Sequence, residues 1–165
     1  MKLSELISLY TNLKICETLN GKSENITKFL YGIVRNIILI EPEIKVYEIV
    51  SAFTKEYIEY DKNRVELCKH HSNKDGNGNP IIKNNIYDIL DIDGNMKEDF
   101  IKDLEKLNKD NKSVIDYREN QLLEIEKLKE EEIEIELYKI KLGYIPEDIS
   151  KHVGLMKSIM CIIEE

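Results

Sequence analysis

Apolar residues recur at spacings of three and four from Ile26 to Leu67. Ile26, Phe29, Leu30, Ile33, Val34 and Ile37 begin the stripe, and Val46, Val50, Phe53, Tyr57, Tyr60 and Leu67 continue it. Such spacing places apolar side chains on one face of an α-helix. Ser23 is a good cap for its start, because the hydroxyl can accept from an orphan amide of the first turn. Pro42 lies inside the pattern. Proline can open a helix at its first position or kink one from within. No turn residues flank it, so we expect a kink in one helix over 24–71. That helix would run for roughly 70 Å at 1.5 Å per residue. One small core cannot cover that length, so a partner helix is required, from this chain or another.

The chain offers one. Phe100, Leu104, Leu107, Ile115, Leu122, Ile125 and Leu128 mark a second long helix from Met96 to about Lys129. Its middle, Asn108 to Lys112, is polar, and a local irregularity is expected there. The connection of about twenty-five residues is rich in Asn, Asp and Gly. It is long enough to reverse the chain, so the two helices should pair as an antiparallel hairpin. A shorter N-terminal helix carries Leu3, Leu6, Tyr10, Leu13 and Cys16 on one face. Asn20–Gly21 is expected to end it, since glycine accepts the left-handed cap.

At Glu132–Leu137 the period changes to strict alternation of Glu with Ile or Leu, which is strand rather than helix. Residues 81–82 and 86–90 are the only other strand-like runs, so we expect 80–90 to pair with 132–142 in a small sheet. Ser150 should cap a last helix. The predicted fold is therefore mainly α. It is one domain over 1–165, a long helical hairpin with a short N-terminal helix, a C-terminal helix and an α/β end-piece of about 72–95 plus 130–165.

Composition narrows the function. The formal net charge is -8. A general nucleic-acid or anionic-membrane surface needs clustered Lys and Arg, which argues against both, although a local basic pocket is compatible with it. The most apolar run, Ile37–Ile40, is far shorter than the ~20 residues of a membrane span. The sequence begins without a secretory-type apolar run, and Cys16, Cys68 and Cys161 are sparse and odd in number. Reduced thiols in a cytoplasmic protein are expected.

No motif meets the demands of a known chemistry. Gly21–Lys22–Ser23 resembles the end of a phosphate loop, but Cys16 stands where the first glycine is required. Asn73, Asp75, Asn77 and Gly78 echo a calcium loop whose closing Glu is replaced by Asn84, and Asp91–Asn95 is poorer still. Cys68, His70 and His71 lack the second ligand pair that zinc wants. As a nucleophile pair they lack a visible orienting group. No cofactor, no metal and no catalytic set is expected, so the chain reads as a non-enzyme.

Only three of the 24 basic residues are arginine: Arg35, Arg64 and Arg118. The planar guanidinium suits carboxylate or phosphate in a way lysine does not. The ordinary role for Arg64 and Arg118 is interhelix pairing with Glu66 or Glu119. The functional role is an anion pocket between helices, with Tyr60 or Tyr117 stacking on a base.

From Ile40 onward the chain resembles a family of small proteins encoded in phages and prophages of Gram-positive bacteria. The segments that carry this are Ile40–Glu43, Arg64–Cys68, Asp75–Ile82, Tyr117–Gln121, Glu130–Leu142 and Ile159–Glu165. The resemblance implies no residue roles. It implies a setting, the infected host cell, and two uses. The first is a non-enzymatic protein that counters host defence, as a homo-oligomer that sequesters a nucleotide immune signal or binds a host defence protein. The second is a structural or assembly protein of the virion or tail, acting through helix packing.

Overall fold

The computed structural model describes residues 1–18 and 24–165. The expected helix end at Asn20–Gly21, the Ser23 cap and the Gly21–Lys22–Ser23 segment lie outside the described residues. The chain is mainly helical. It divides into two compact units, one of Met1–Ser51 with Glu124–Glu165, the other of Ala52–Leu123. The segments 72–95 and 130–165, expected to share one end-piece, belong to different units.

The first unit is built on α1 (Leu3–Glu17) and α2 (Glu24–Ser51). Leu3, Leu6, Leu9, Leu13 and Cys16 of α1 join Phe29, Ile33, Ile37, Ile40 and Ile44 of α2 in one buried cluster, which Ile140, Ile149, Ile159 and Ile162 complete. Burial of each such side chain is worth about 1.5–3 kcal/mol. Helix α2 passes through Pro42 without interruption. Proline lacks the amide that would bond the Ile38 carbonyl, and both residues are exposed, where water can hydrate that carbonyl.

The single helix expected over 24–71 is interrupted, but not at the proline. Helix α2 ends at Ser51, and α3 (Lys55–His71) begins after Thr54, whose Oγ1 accepts the Tyr57 amide at 3.1 Å. A threonine cap satisfies an orphan donor of a new first turn. The apolar repeat runs straight across this junction, and that hid it.

In the second unit α3 and α4 (Glu98–Asp110) run antiparallel, as the hairpin reading expects. Tyr60 Oη donates to Asn108 Oδ1 at 2.9 Å, and His71 Nε2 meets Asp103 Oδ2 at 2.9 Å. The expected irregularity falls at Asn111, between α4 and α5 (Lys112–Glu130). Its side-chain amide donates back to the Leu107 carbonyl at 2.9 Å.

The sheet expected between 80–90 and 132–142 does not form. Strands β1 (Ile82–Lys83) and β2 (Ile86–Tyr87) pair antiparallel with each other. Asn84 and Asn85 supply the two positive-φ positions that a tight hairpin needs. Strand β3 (Ile140–Lys141) pairs in parallel with β4 (Ile163–Glu164). The alternation at 132–137 is real, since Ile133, Ile135 and Leu137 pack on the core while Glu132, Glu134 and Glu136 face water. The backbone is met without a long ladder. The Ile133 amide donates to the Met1 carbonyl at 2.8 Å, and the Leu3 amide to the Glu131 carbonyl at 2.9 Å. Helices α1 and α2 supply the apolar cover that a sheet would have supplied. Ser150 does not cap the last helix either. It ends α6 (Glu147–Ser150), its hydroxyl donating to the Glu147 carbonyl at 2.7 Å, and α7 spans Val153–Ile159.

Two loops of the second unit are twins. In Asp75–Asn79 the Asp75 carboxylate accepts the Asn77 and Asn79 amides, both at 2.8 Å. In Asp91–Asn95 the Asp91 carboxylate accepts the Asp93 amide at 3.0 Å and the Asn95 amide at 2.8 Å. Gly78 and Gly94 each take φ of +82°, which favours glycine. The Asp75 and Asp91 carboxylates are thus engaged by their own backbone.

Candidate functional site

The sequence singles out Arg64, Arg118, Tyr60 and Tyr117, and the structure places them at separate points of the second unit. Arg64 Nε and Nη2 donate to Asp61 Oδ1 at 3.0 and 2.8 Å, one turn back on the same helix. Arg118 is 9% exposed, with its Cζ 4.2 Å from the Phe53 ring centroid, and it donates to Gln121 Oε1 at 2.7 Å. Tyr60 is buried, and burial raises its phenol above the ordinary range. Tyr117 is exposed beside Thr54 and Val114. Arg64 alone of the four lines the large cleft of this unit, about 640 Å³, with Val65, Cys68, Ile86, Leu90, Met96, Phe100 and Leu104. That cleft is mainly apolar, and its other cation, Lys83, is paired with Asp88 at 2.8 Å. His71 is oriented by Asp103, but no hydrogen bond joins it to Cys68. Among the described residues no group of three or more His, Cys, Asp or Glu is placed to hold a metal ion.

The third arginine, Arg35, packs on two tyrosine rings that line a second groove. Lys28, Tyr31 and Arg35 follow one another at three and four residues along α2, so they share one face. Arg35 Cζ stands 4.5 Å from the Tyr138 ring centroid and 5.8 Å from that of Tyr31. The two rings meet edge to face, with centroids 6.0 Å apart. Lys28 Nζ lies 5.2 Å from the centre of the Tyr144 ring. Tyr31, Tyr138 and Tyr144, with Lys28, Lys139 and Lys141, line a groove of about 430 Å³, and Glu164 is the one acid among its described lining residues. Among the described residues neither Arg35 nor Lys141 has an ion-pair partner.

The far wall of this groove is held by two features of α2. Asn36 is fully buried, and its side-chain amide donates to the Tyr138 carbonyl at 2.9 Å while its oxygen accepts the Tyr138 amide at 2.8 Å. The side chain thus gives Tyr138 both bonds that a neighbouring strand would give. One turn earlier, Gly32 lets β3 approach. A Cβ there would stand 2.5 Å from Ile140 Cγ1. Sequence reasoning could have found the Lys28–Tyr31–Arg35 face from its spacing. Tyr138 is more than a hundred residues away, and no local signal links it to Arg35.

A groove of this size, with flat rings on its walls and lysines at its edge, suits a small ligand that is both aromatic and anionic. It is a local basic patch on an acidic chain. No protein-family model, no curated protein and no solved structure matches this chain.

Proposed function

We propose that this chain is a non-enzymatic binding protein that captures a small phosphate-bearing nucleotide in the groove between α2 and β3. The observation that carries this reading is the stack of Arg35 on Tyr138 and Tyr31 beside Lys28, Lys139 and Lys141. The rings provide faces for a base, and Lys141 provides a donor for phosphate, while Lys139 already donates to the Cys161 carbonyl at 2.6 Å. Together with the resemblance to phage proteins, this supports capture of a nucleotide signal of host immunity, in the infected cell, as the biological use.

The test is a thermal-shift and calorimetry panel of cyclic and ADP-ribose-type nucleotides. A ligand at one hundred times its Kd should stabilise the protein by about 2.7 kcal/mol. Lys141→Glu and Tyr138→Ala should each remove that stabilisation. A panel that leaves the melting temperature unchanged refutes the reading.

A second reading rests on the apolar cleft lined by Leu90, Met96 and Phe100. Its cations are already paired, so it suits an apolar protein segment better than an anion. It would serve docking to a host defence protein, or to a virion component if the chain is an assembly protein. Detection in purified particles by mass spectrometry, lost with Met96→Asp, would favour that use.

A further inference from the structure

The face of α2 turned away from the core is apolar along its length. Tyr31, Val34, Ile38, Pro42, Val46 and Ile49 follow at steps of three, four, four, four and three residues, and all six are exposed. Ile38 is 63% exposed and Ile49 75%. These steps read the same in both directions. About Ile40 as centre, Tyr31 mirrors Ile49, Val34 mirrors Val46 and Ile38 mirrors Pro42. A stripe with that symmetry can meet a second copy of itself in antiparallel sense, each apolar level facing an apolar level.

The charges favour the same sense. From residue 24 to residue 40 the helix carries Lys28 and Arg35 against one acid, Glu24. From 41 to 51 it carries Glu41, Glu43 and Glu48, with Lys45 as the one base. Lys45 is held by Glu41 at 3.1 Å, which leaves Glu43 and Glu48. An antiparallel pair sets each basic half against the partner's acidic half, and a parallel pair sets like against like.

We propose that the chain forms a two-fold homodimer through the outer stripe of α2, the two helices antiparallel and centred near Ile40. This deepens the oligomer reading by naming its surface and symmetry, and the stripe shares Tyr31 with the groove. A dimer of this kind carries two grooves. The stripe from Tyr31 to Ile49 is about 27 Å long at 1.5 Å per residue.

The experiment is sedimentation of the full chain at tens of micromolar, with Ile38→Glu as the variant. The wild type should run at twice the 19.4 kDa chain mass, and Ile38→Glu at once that mass. Ile38 is exposed, so circular dichroism and melting of the variant should show the fold intact. A monomeric wild type, or a dimeric Ile38→Glu, overturns the proposal. Antiparallel order is read by cross-linking in a Cys68→Ser, Cys161→Ser background. A bis-maleimide of about 10 Å reach, close to the spacing of packed helices, should join copies carrying Ile38→Cys. It should not join copies carrying Ile49→Cys, which lie about 27 Å apart in this arrangement. Equal capture at both positions shows a parallel pair and also overturns it.

Discussion

Replacing Asn36 by Ala tests how the groove is assembled. The substitution removes both bonds to the Tyr138 backbone, at 2.9 and 2.8 Å. It leaves a donor and an acceptor facing an apolar gap, and each such unmade bond costs about 1–3 kcal/mol. Tyr138 is half-buried, so water reaches part of the site and the lower half of that range applies. The expected loss is about 2–4 kcal/mol, a downward shift of roughly 4–16 °C in melting for a chain of this size. Urea unfolding followed by circular dichroism measures it. Tyr138 also carries Arg35, so ligand stabilisation should vanish with the same substitution. The companion Asn36→Asp separates pairing from packing. Its carboxylate still accepts the Tyr138 amide but faces the Tyr138 carbonyl with an oxygen. Burial and that carbonyl both favour the protonated form, so its folded pKa should lie above the unfolded one. The stabilising contribution is then present in acid and lost as pH rises, and Asn36→Asp should be more stable at pH 5 than at pH 7 relative to wild type. A cost below about 0.5 kcal/mol for Asn36→Ala would refute the claim that this amide holds the segment.

Gly32→Ala should destabilise despite the roughly 1 kcal/mol that alanine gains over glycine in a helix. The Cβ would press on Ile140 Cγ1, and overpacking costs about 1–3 kcal/mol, so a net loss of up to about 2 kcal/mol is expected in urea unfolding. Backbone hydrogen bonds from Asn79 and Asn77 hold the Asp75 carboxyl below its ordinary range. A depressed folded pKa contributes stability above the unfolded value that is lost as pH falls through the folded one. Amide exchange at Asn77 and Asn79, corrected for intrinsic rates, should therefore quicken below about pH 4. Burial pushes the Cys16 thiol up to about 11, so iodoacetamide at pH 8 should leave Cys16 unlabelled until the protein is denatured, as read by peptide mass spectrometry.

Periodicity made the helices legible, because i, i+3 and i+4 positions report directly on one buried face. The stripes of α1 and α2, the antiparallel turn between α3 and α4, and the weak point at Asn111 all follow from local pattern. The break before Thr54 did not, because an apolar repeat continued through it and a single threonine cap is a faint signal. The partner of residues 132–137 is not legible in the sequence for a related reason. Alternation reports which side chains face inward, but it does not say whether a strand or a helix pair covers them. Here the cover is α1 and α2, and part of the backbone pairing comes from Met1 and from the side chain of Asn36. The site followed the same logic. Arg64 and Arg118, the arginines that the sequence singles out, are engaged within their own hairpin by Asp61, Phe53 and Gln121. Arg35 finds its second ring only through a tertiary contact.

The twin loops at Asp75–Asn79 and Asp91–Asn95 bear on the order in which the second unit folds. Bringing α3 and α4 together requires closing the chain between them, at an entropic cost that grows with the logarithm of the open loop. Each twin loop is closed by its own carboxylate and a left-handed glycine, over five residues, without help from the rest of the fold. Short loops of this kind close in well under a microsecond to microseconds. With both formed, and β1 paired to β2 between them, α3 and α4 begin their search already close together. Mutations at Gly78 and Gly94 should then slow folding more than they speed unfolding, while substitutions along the α3–α4 seam should do the reverse.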